Sequence, residues 1–159
     1  MVVSRVLLVS LFCAAPSWGA VVYVDRANTS GNEDGTAWDS AFLTLQAAVD
    51  AAAPGDEVWV AAGLYDEWRN ALDGALTLRE GVTLYGGFAG DETARDQRDP
   101  AARPTVIDGA VARLGNQAVH VVVGANDALI DGFTIRGGRA AAGGVPGSYG
   151  GGLLLQSAS

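Results

Sequence analysis

Short apolar runs punctuated by glycine, aspartate and proline organise this chain from position 21 onward. Val21-Val22-Tyr23-Val24-Asp25 reads as a first strand. Asn28 to Asp39 is polar and rich in turn formers, with Gly31, Asp34-Gly35 and Asp39-Ser40 as breakers. Phe42, Leu45, Val49 and Ala52 then recur at helical spacing. They predict an amphipathic helix over about Thr44–Ala53, with Ser40 or Thr44 as N-cap and Pro54-Gly55-Asp56 as its stop. A second strand, Glu57–Ala61, leads into a series of short strands separated by Gly, Asp and Pro turns, and no further helix is predicted.

Four of these runs close on glycines 23 residues apart, at Gly63, Gly86, Gly109 and Gly132. Seven of the eight residues that stand two and three positions before these glycines are apolar, and the triplet Ile-Asp-Gly recurs intact at 107–109 and 130–132. A fixed period in this range marks an architecture built by stacking one unit on the next. Continuous apolar strands without intervening helices suit parallel sheets wound into a coil rather than a doubly wound fold or a sandwich. A rung of three short strands and three turns fits 23 residues, which predicts an all-β parallel β-helix with equivalent residues about 4.8 Å apart. The amphipathic helix stands where such a solenoid needs a cap over its apolar end.

The same residues carry a resemblance. Tyr23-Val24-Asp25, Asp34-Gly35-Thr36-Ala37-Trp38, Leu45–Ala52, Pro54–Tyr65 and Gly81–Gly90 resemble the start of secreted right-handed β-helix proteins of the pectin-lyase-like superfamily. Arg98-Asp99-Pro100, Pro104–Gly109 and Ile130–Ile135 continue it. The resemblance implies an N-terminal cap followed by the first rungs of a right-handed parallel β-helix. It spans lyases, glycoside hydrolases, adhesins and proteins without known activity, so it does not choose among them. Such proteins have many rungs, whereas this chain stops at Ser159 after the apolar run Leu153–Leu155, and the register meets Leu155 where a glycine is due. The expectation is a solenoid truncated at its C-terminus.

Composition narrows the partners. The chain has 159 residues and a formal charge of −8, and its ten basic residues are all Arg. That balance disfavours nucleic acid and anionic membrane surfaces. Arg5, the apolar stretch Val6–Ala15 and the small-residue exit Pro16–Ala20 form a secretory signal with cleavage expected after Gly19, Ala20 being the second choice. The apolar stretch is too short to span a membrane, and no transmembrane segment is expected after cleavage. The mature domain, 20–159, would be secreted or held at the cell envelope and would contain no cysteine, since Cys13 leaves with the signal.

The candidate chemistry is sparse. If the 23-residue register holds, Asp108 and Asp131 lie on adjacent rungs and could share a Ca²⁺, the one cofactor the sequence suggests. The resembled lyases hold Ca²⁺ on a sheet face with acidic residues. An Asp-Gly pair serves equally as a corner turn, its carboxylate bonding local backbone N–H groups. Tyr85 (which precedes them in that register), Trp68 on a polar stretch and Arg136 are the candidate substrate contacts, for a polysaccharide or cell-surface glycan. Arg139 flanks the same Gly137-Gly138 turn as Arg136. Trp59 reads as core, Arg95 and Arg98 as a solvated ion-paired loop, Asp25, Glu33, Asp34 and Asp39 as turn and cap residues, and His120 as a strand position. Gly143–Gly152 lacks the Lys-Ser/Thr end of a P-loop and reads as an inter-rung loop. No set of residues qualifies as catalytic. The expectation is therefore a carbohydrate-binding or adhesion scaffold, with two alternatives: the N-terminal part of a lyase or glycoside hydrolase acting on acidic polysaccharide, or a structural spacer.

Overall fold

A computed structural model of the chain describes residues 19–69, 74–140 and 151–155. Residues 1–18 of the expected signal and most of the glycine-rich loop at 143–152 lie outside the described residues. The strands are β1 (Val21–Val24), β2 (Glu57–Ala61), β3 (Gly63–Tyr65), β4 (Leu76–Thr77), β5 (Thr83–Phe88), β6 (Thr105–Asp108), β7 (Val122–Val123), β8 (Leu129–Asp131), β9 (Phe133–Arg136) and β10 (Leu153–Leu154). Among the described residues α1 (Leu45–Ala51) is the one α-helix, with 3₁₀ turns at Trp38–Ser40 and Arg95–Gln97. His120, expected in a strand, lies in a bend just before β7.

The strands form three sheets, ordered β1-β2-β5-β8, β3-β6-β9 and β4-β7-β10, and neighbouring strands pair in parallel. From β2 onward the chain visits the three sheets in the same order three times, a β-rich parallel solenoid. Parallel strands cannot be joined by a tight hairpin, so each return to a sheet must cross other structure.

The expected 23-residue rung is corrected by the strand register. Val58 pairs with Leu84, 26 residues on, and Leu84 with Ile130, 46 residues on. On the second sheet Tyr65 pairs with Ile107, 42 residues on, and Ile107 with Ile135, 28 residues on. The rungs are unequal because loops such as 89–104 and 109–121 extend some corners and not others. The interval of 23 is thus about half of one long rung. It moves the chain to a different sheet: Gly63 lies in β3 and Gly86 in β5.

One core joins the three sheets and the helix. Along the first sheet Val22, Val58, Leu84 and Ile130 are aligned and belong to or pack on this core. Leu76 and Val122 enter it from the third sheet and Tyr65 and Ile107 from the second. Each fully buried aliphatic side chain contributes about 1.5–3 kcal/mol. The helix adds Leu45, Ala48 and Val49 and packs against β1, β2 and β4. It starts at Thr44 rather than Ser40, whose residue ends a 3₁₀ turn instead: the Thr44 hydroxyl accepts the Ala47 N–H at 3.3 Å. Beyond the C-cap Ala52, the Asp56 carboxylate accepts the Ala53 N–H at 2.8 Å.

On the outer side of the first sheet Tyr23, Trp59 and Tyr85 are aligned. Trp59 is 5% exposed and stacks on Phe88 with centroids 4.8 Å apart, as its place inside an apolar strand predicts. Trp38 sits edge-on to Tyr23 and donates its indole N–H to the Glu92 carbonyl at 2.9 Å. The Glu92 carboxylate is itself buried. It accepts the N–H groups of Ala89, Gly90 and Asp91 at 2.6, 3.0 and 3.2 Å, and Arg103 at 2.8 Å.

Burial alone would push the Glu92 carboxyl up, but those backbone donors outweigh it and hold it below the usual range. A depressed carboxylate stabilises the fold above its unfolded pKa and loses that contribution as pH falls through the folded value. Glu92→Gln is therefore expected to lower stability by about 2 kcal/mol near neutrality, and wild type and variant should converge in acid. Urea unfolding midpoints across pH check this; a gap that stays constant into acid would contradict it.

Candidate functional site

A cleft of about 580 Å³ opens between the end of β3 and the start of α1. Tyr65 ends β3 with its ring buried and its hydroxyl donating to the Ala61 carbonyl at 3.0 Å; burial holds that hydroxyl far above its ordinary pKa. The chain then turns outward through Asp66, Glu67 and Trp68 before Arg69 bridges Arg113 in parallel. Arg26 comes from the loop after β1, and its guanidinium donates to the Leu64 carbonyl and pairs with Asp66. Leu43 and Thr44 form the opposite wall. The Glu67 carboxylate accepts the backbone N–H groups of Leu45 and Gln46 at the start of α1. Burial raises its pKa, while those N–H groups, Arg69 and Arg26 oppose the rise.

Trp68 is 69% exposed, whereas Trp59 is buried and Trp38 is held by its indole bond and aromatic neighbours. A large exposed indole beside charged hydrogen-bonding groups offers a flat apolar face with polar groups around it. That is the arrangement a sugar ring uses, its C–H face on the aromatic and its hydroxyls on the rim.

The other candidates are drawn into ion pairs. Tyr85 carries two guanidiniums over its ring, Arg95 and Arg98 centred 4.8 and 4.9 Å from its centroid. Arg95 also donates to the Tyr85 hydroxyl at 3.1 Å and to Glu57 at 2.6 Å. Arg98 pairs with the Asp131 carboxylate and reaches the Gly86 carbonyl at 3.3 Å. These two arginines are ion-paired, as expected of their loop, but with carboxylates of the first sheet; Arg95 stays half exposed, whereas the Arg98 side chain is only 20% exposed. Asp108 and Arg136 are cross-strand partners joined at 2.7 Å.

The stacked pair of carboxylates is therefore not formed. Asp131 aligns with Tyr85 on the first sheet, and Asp108 with Arg136 on the second. The register places them on different sheets because adjacent rungs are not 23 residues apart. Asp108 also accepts the Ala110 N–H at 2.9 Å, the corner turn that Asp-Gly favours, and this bond and Arg136 keep its pKa low. Among the described residues, no group of three or more His, Cys, Asp or Glu is placed to hold a metal ion.

In the acidic stretch before the helix, Asp34 accepts from Thr36 and Ser40, each hydroxyl at 2.7 Å, and these bonds hold its pKa well below the carboxylate range. Asp25 accepts the Ala27 N–H at 2.8 Å and Glu33 the Leu43 N–H at 3.4 Å.

A family model described as a protein of unknown function (DUF1565) matches residues 28–159. The chain belongs to the DUF1565 family. No curated protein and no solved structure matched it.

In this DUF1565 chain the cleft joins residues that local sequence patterns do not link. Trp68 was visible as an aromatic on a polar stretch. Arg26 and Asp66 meet across 40 positions, and Glu67 reaches Leu45 across 22. The signal that could have found Glu67 is the unsatisfied N-terminal amides of a predicted helix, which require an acceptor from somewhere in the fold. No helix among the described residues of the DUF1565 chain is long and apolar enough to cross a membrane.

Proposed function

We propose that this chain is the cap and first rungs of a right-handed parallel β-helix of the pectin-lyase-like kind, exported by its N-terminal signal, and that it serves as a carbohydrate-binding or adhesion scaffold at the cell surface. The cyclic visiting of three parallel sheets and the helix packed on their shared core support the closed coil. The exposed Trp68 in its cleft carries the binding role. A sugar stacked on the indole would meet Arg26 and Asp66 as hydrogen-bond donor and acceptor at its edge.

The test is a glycan array followed by calorimetry on the best ligand. Trp68→Ala is expected to weaken binding by about 2 kcal/mol, roughly 30-fold, the loss typical of an aromatic anchor. Circular dichroism should be unchanged, because the indole is mostly in solvent. Unaltered affinity in the variant, or no glycan retained by the wild type, defeats the reading.

The alternative, the N-terminal part of a lyase or glycoside hydrolase, finds its one support in Glu67, whose raised pKa suits an acid. Its carboxylate is already engaged by two backbone N–H groups of α1, which favours the binding role.

A further inference from the structure

A second cleft of about 640 Å³ is lined by Arg113, Gly115, Asn116, Gln117, Val119 and Arg139. Gly115 links the two: a Cβ placed there would stand 3.7 Å from the Trp68 indole nitrogen. The cleft is built by a tight turn in which Arg113 and Asn116 exchange backbone bonds at 2.9 Å, and by the Arg139 N–H held to the Ala118 carbonyl at 2.7 Å.

Its two arginines differ from the others. Arg26, Arg95, Arg98, Arg103 and Arg136 each pair with a carboxylate. Arg69 and Arg79 donate to backbone carbonyls. The Arg113 and Arg139 guanidiniums have no hydrogen-bond or ion-pair partner among the described residues. The surrounding sequence sharpens the contrast. The chain as a whole carries −8, yet residues 109–126 and 132–159 contain no Asp or Glu. Among the described residues, two guanidiniums without a carboxylate partner and two side-chain amides therefore line one cleft whose lining has no Asp or Glu, and the Asp108 carboxylate that accepts the Ala110 N–H beside it is already paired with Arg136. Such forks match the planar, two-oxygen geometry of a carboxylate or the oxygens of a sulfate ester.

We propose that this cleft binds the oxyanion substituent of an acidic glycan whose neighbouring ring stacks on Trp68. The inference rests on the glycan-binding reading above and names its ligand class, an acidic rather than a neutral polysaccharide. The acidic remainder of the chain repels a polyanion at long range, so selectivity comes from contact in the cleft and weakens with added salt.

The experiment titrates the full chain with an oligouronate, its carboxyl-reduced neutral counterpart and a sulfated form of the neutral sugar. Wild type is expected to bind the oligouronate or the sulfated form about tenfold or more tighter than the neutral one, and the probe showing the gain assigns the group. In the double variant Arg113→Gln/Arg139→Gln, both exposed positions, that preference should vanish while neutral binding remains. Trp68→Ala should weaken all probes and keep their ratio. Equal binding of charged and neutral sugars by wild type, or a preference surviving in the double variant, overturns the inference and leaves the Trp68 reading standing. Arginine-dependent binding that ignores Trp68→Ala sinks the Trp68 reading and keeps the oxyanion cleft. Failure of every probe to bind removes both.

Discussion

Gly132→Ala is expected to destabilise the chain by about 3 kcal/mol or more, and Gly63→Ala by well under half of that. Gly132 holds φ at +81°, a conformation that costs an L side chain energy wherever it occurs. A Cβ there would also stand 2.7 Å from the Gly86 carbonyl oxygen and 2.8 Å from Arg98. The conflict is reciprocal, since a Cβ on Gly86 would lie 2.6 Å from the Gly132 carbonyl oxygen. Both carbonyls are backbone atoms, one within β5 and the other in the bend between β8 and β9, which cannot yield without disturbing the strands they hold. At Gly63 the nearest atom to an added Cβ is a Tyr65 ring carbon at 3.6 Å, ordinary contact. Thermal and urea unfolding of the single variants separate the two cases. Equal losses at Gly63 and Gly132 would mean that the 23-residue interval is a structural period after all.

Leu84→Ala should cost about 3–4 kcal/mol, as large-to-small changes in a closed core do. Leu84 is fully buried between Val58 and Ile130 at the centre of the first sheet, where strands on both sides limit collapse into the vacated space. Leu64→Ala provides the comparison: the same truncation at a side chain 41% exposed should fall within about 0.5 kcal/mol of wild type. Urea midpoints measure both. A loss at Leu64 matching that at Leu84 would show that the core does not lie where the three sheets place it.

The strands, the helix and the helix stop were legible because each follows from local patterning. Val21–Val24, Glu57–Ala61 and Leu45–Ala51 fall within a residue or two of their expected bounds. The parallel pairing was legible too, because apolar runs without intervening helices suit parallel strands wound around one core. The rung length was not. Glycines recur within strands as well as at turns, on more than one sheet, so a spacing between them does not say which sheet the chain has returned to. Loop 89–104 adds length that no period records, and its place is settled by the Trp38–Glu92 bond and the pairing of the buried Glu92 carboxylate with Arg103.

The same distinction governs the site. The sequence by itself determined that the chain builds parallel strands on one apolar core with a helix against it, and that its chemistry had to come from a few aromatics, carboxylates and arginines. Tertiary structure alone decided which of these meet. It set Arg95 and Arg98 against the Tyr85 ring and gave Asp108 and Asp131 separate partners. It left Trp68 open beside Arg26 and Asp66, and set Arg113 and Arg139 in one cleft without a carboxylate partner among the described residues. The physical reason is that local propensity acts over a few residues, whereas strand register depends on loop lengths and long-range pairing. A shift of a few residues in register assigns every outward side chain a new neighbour.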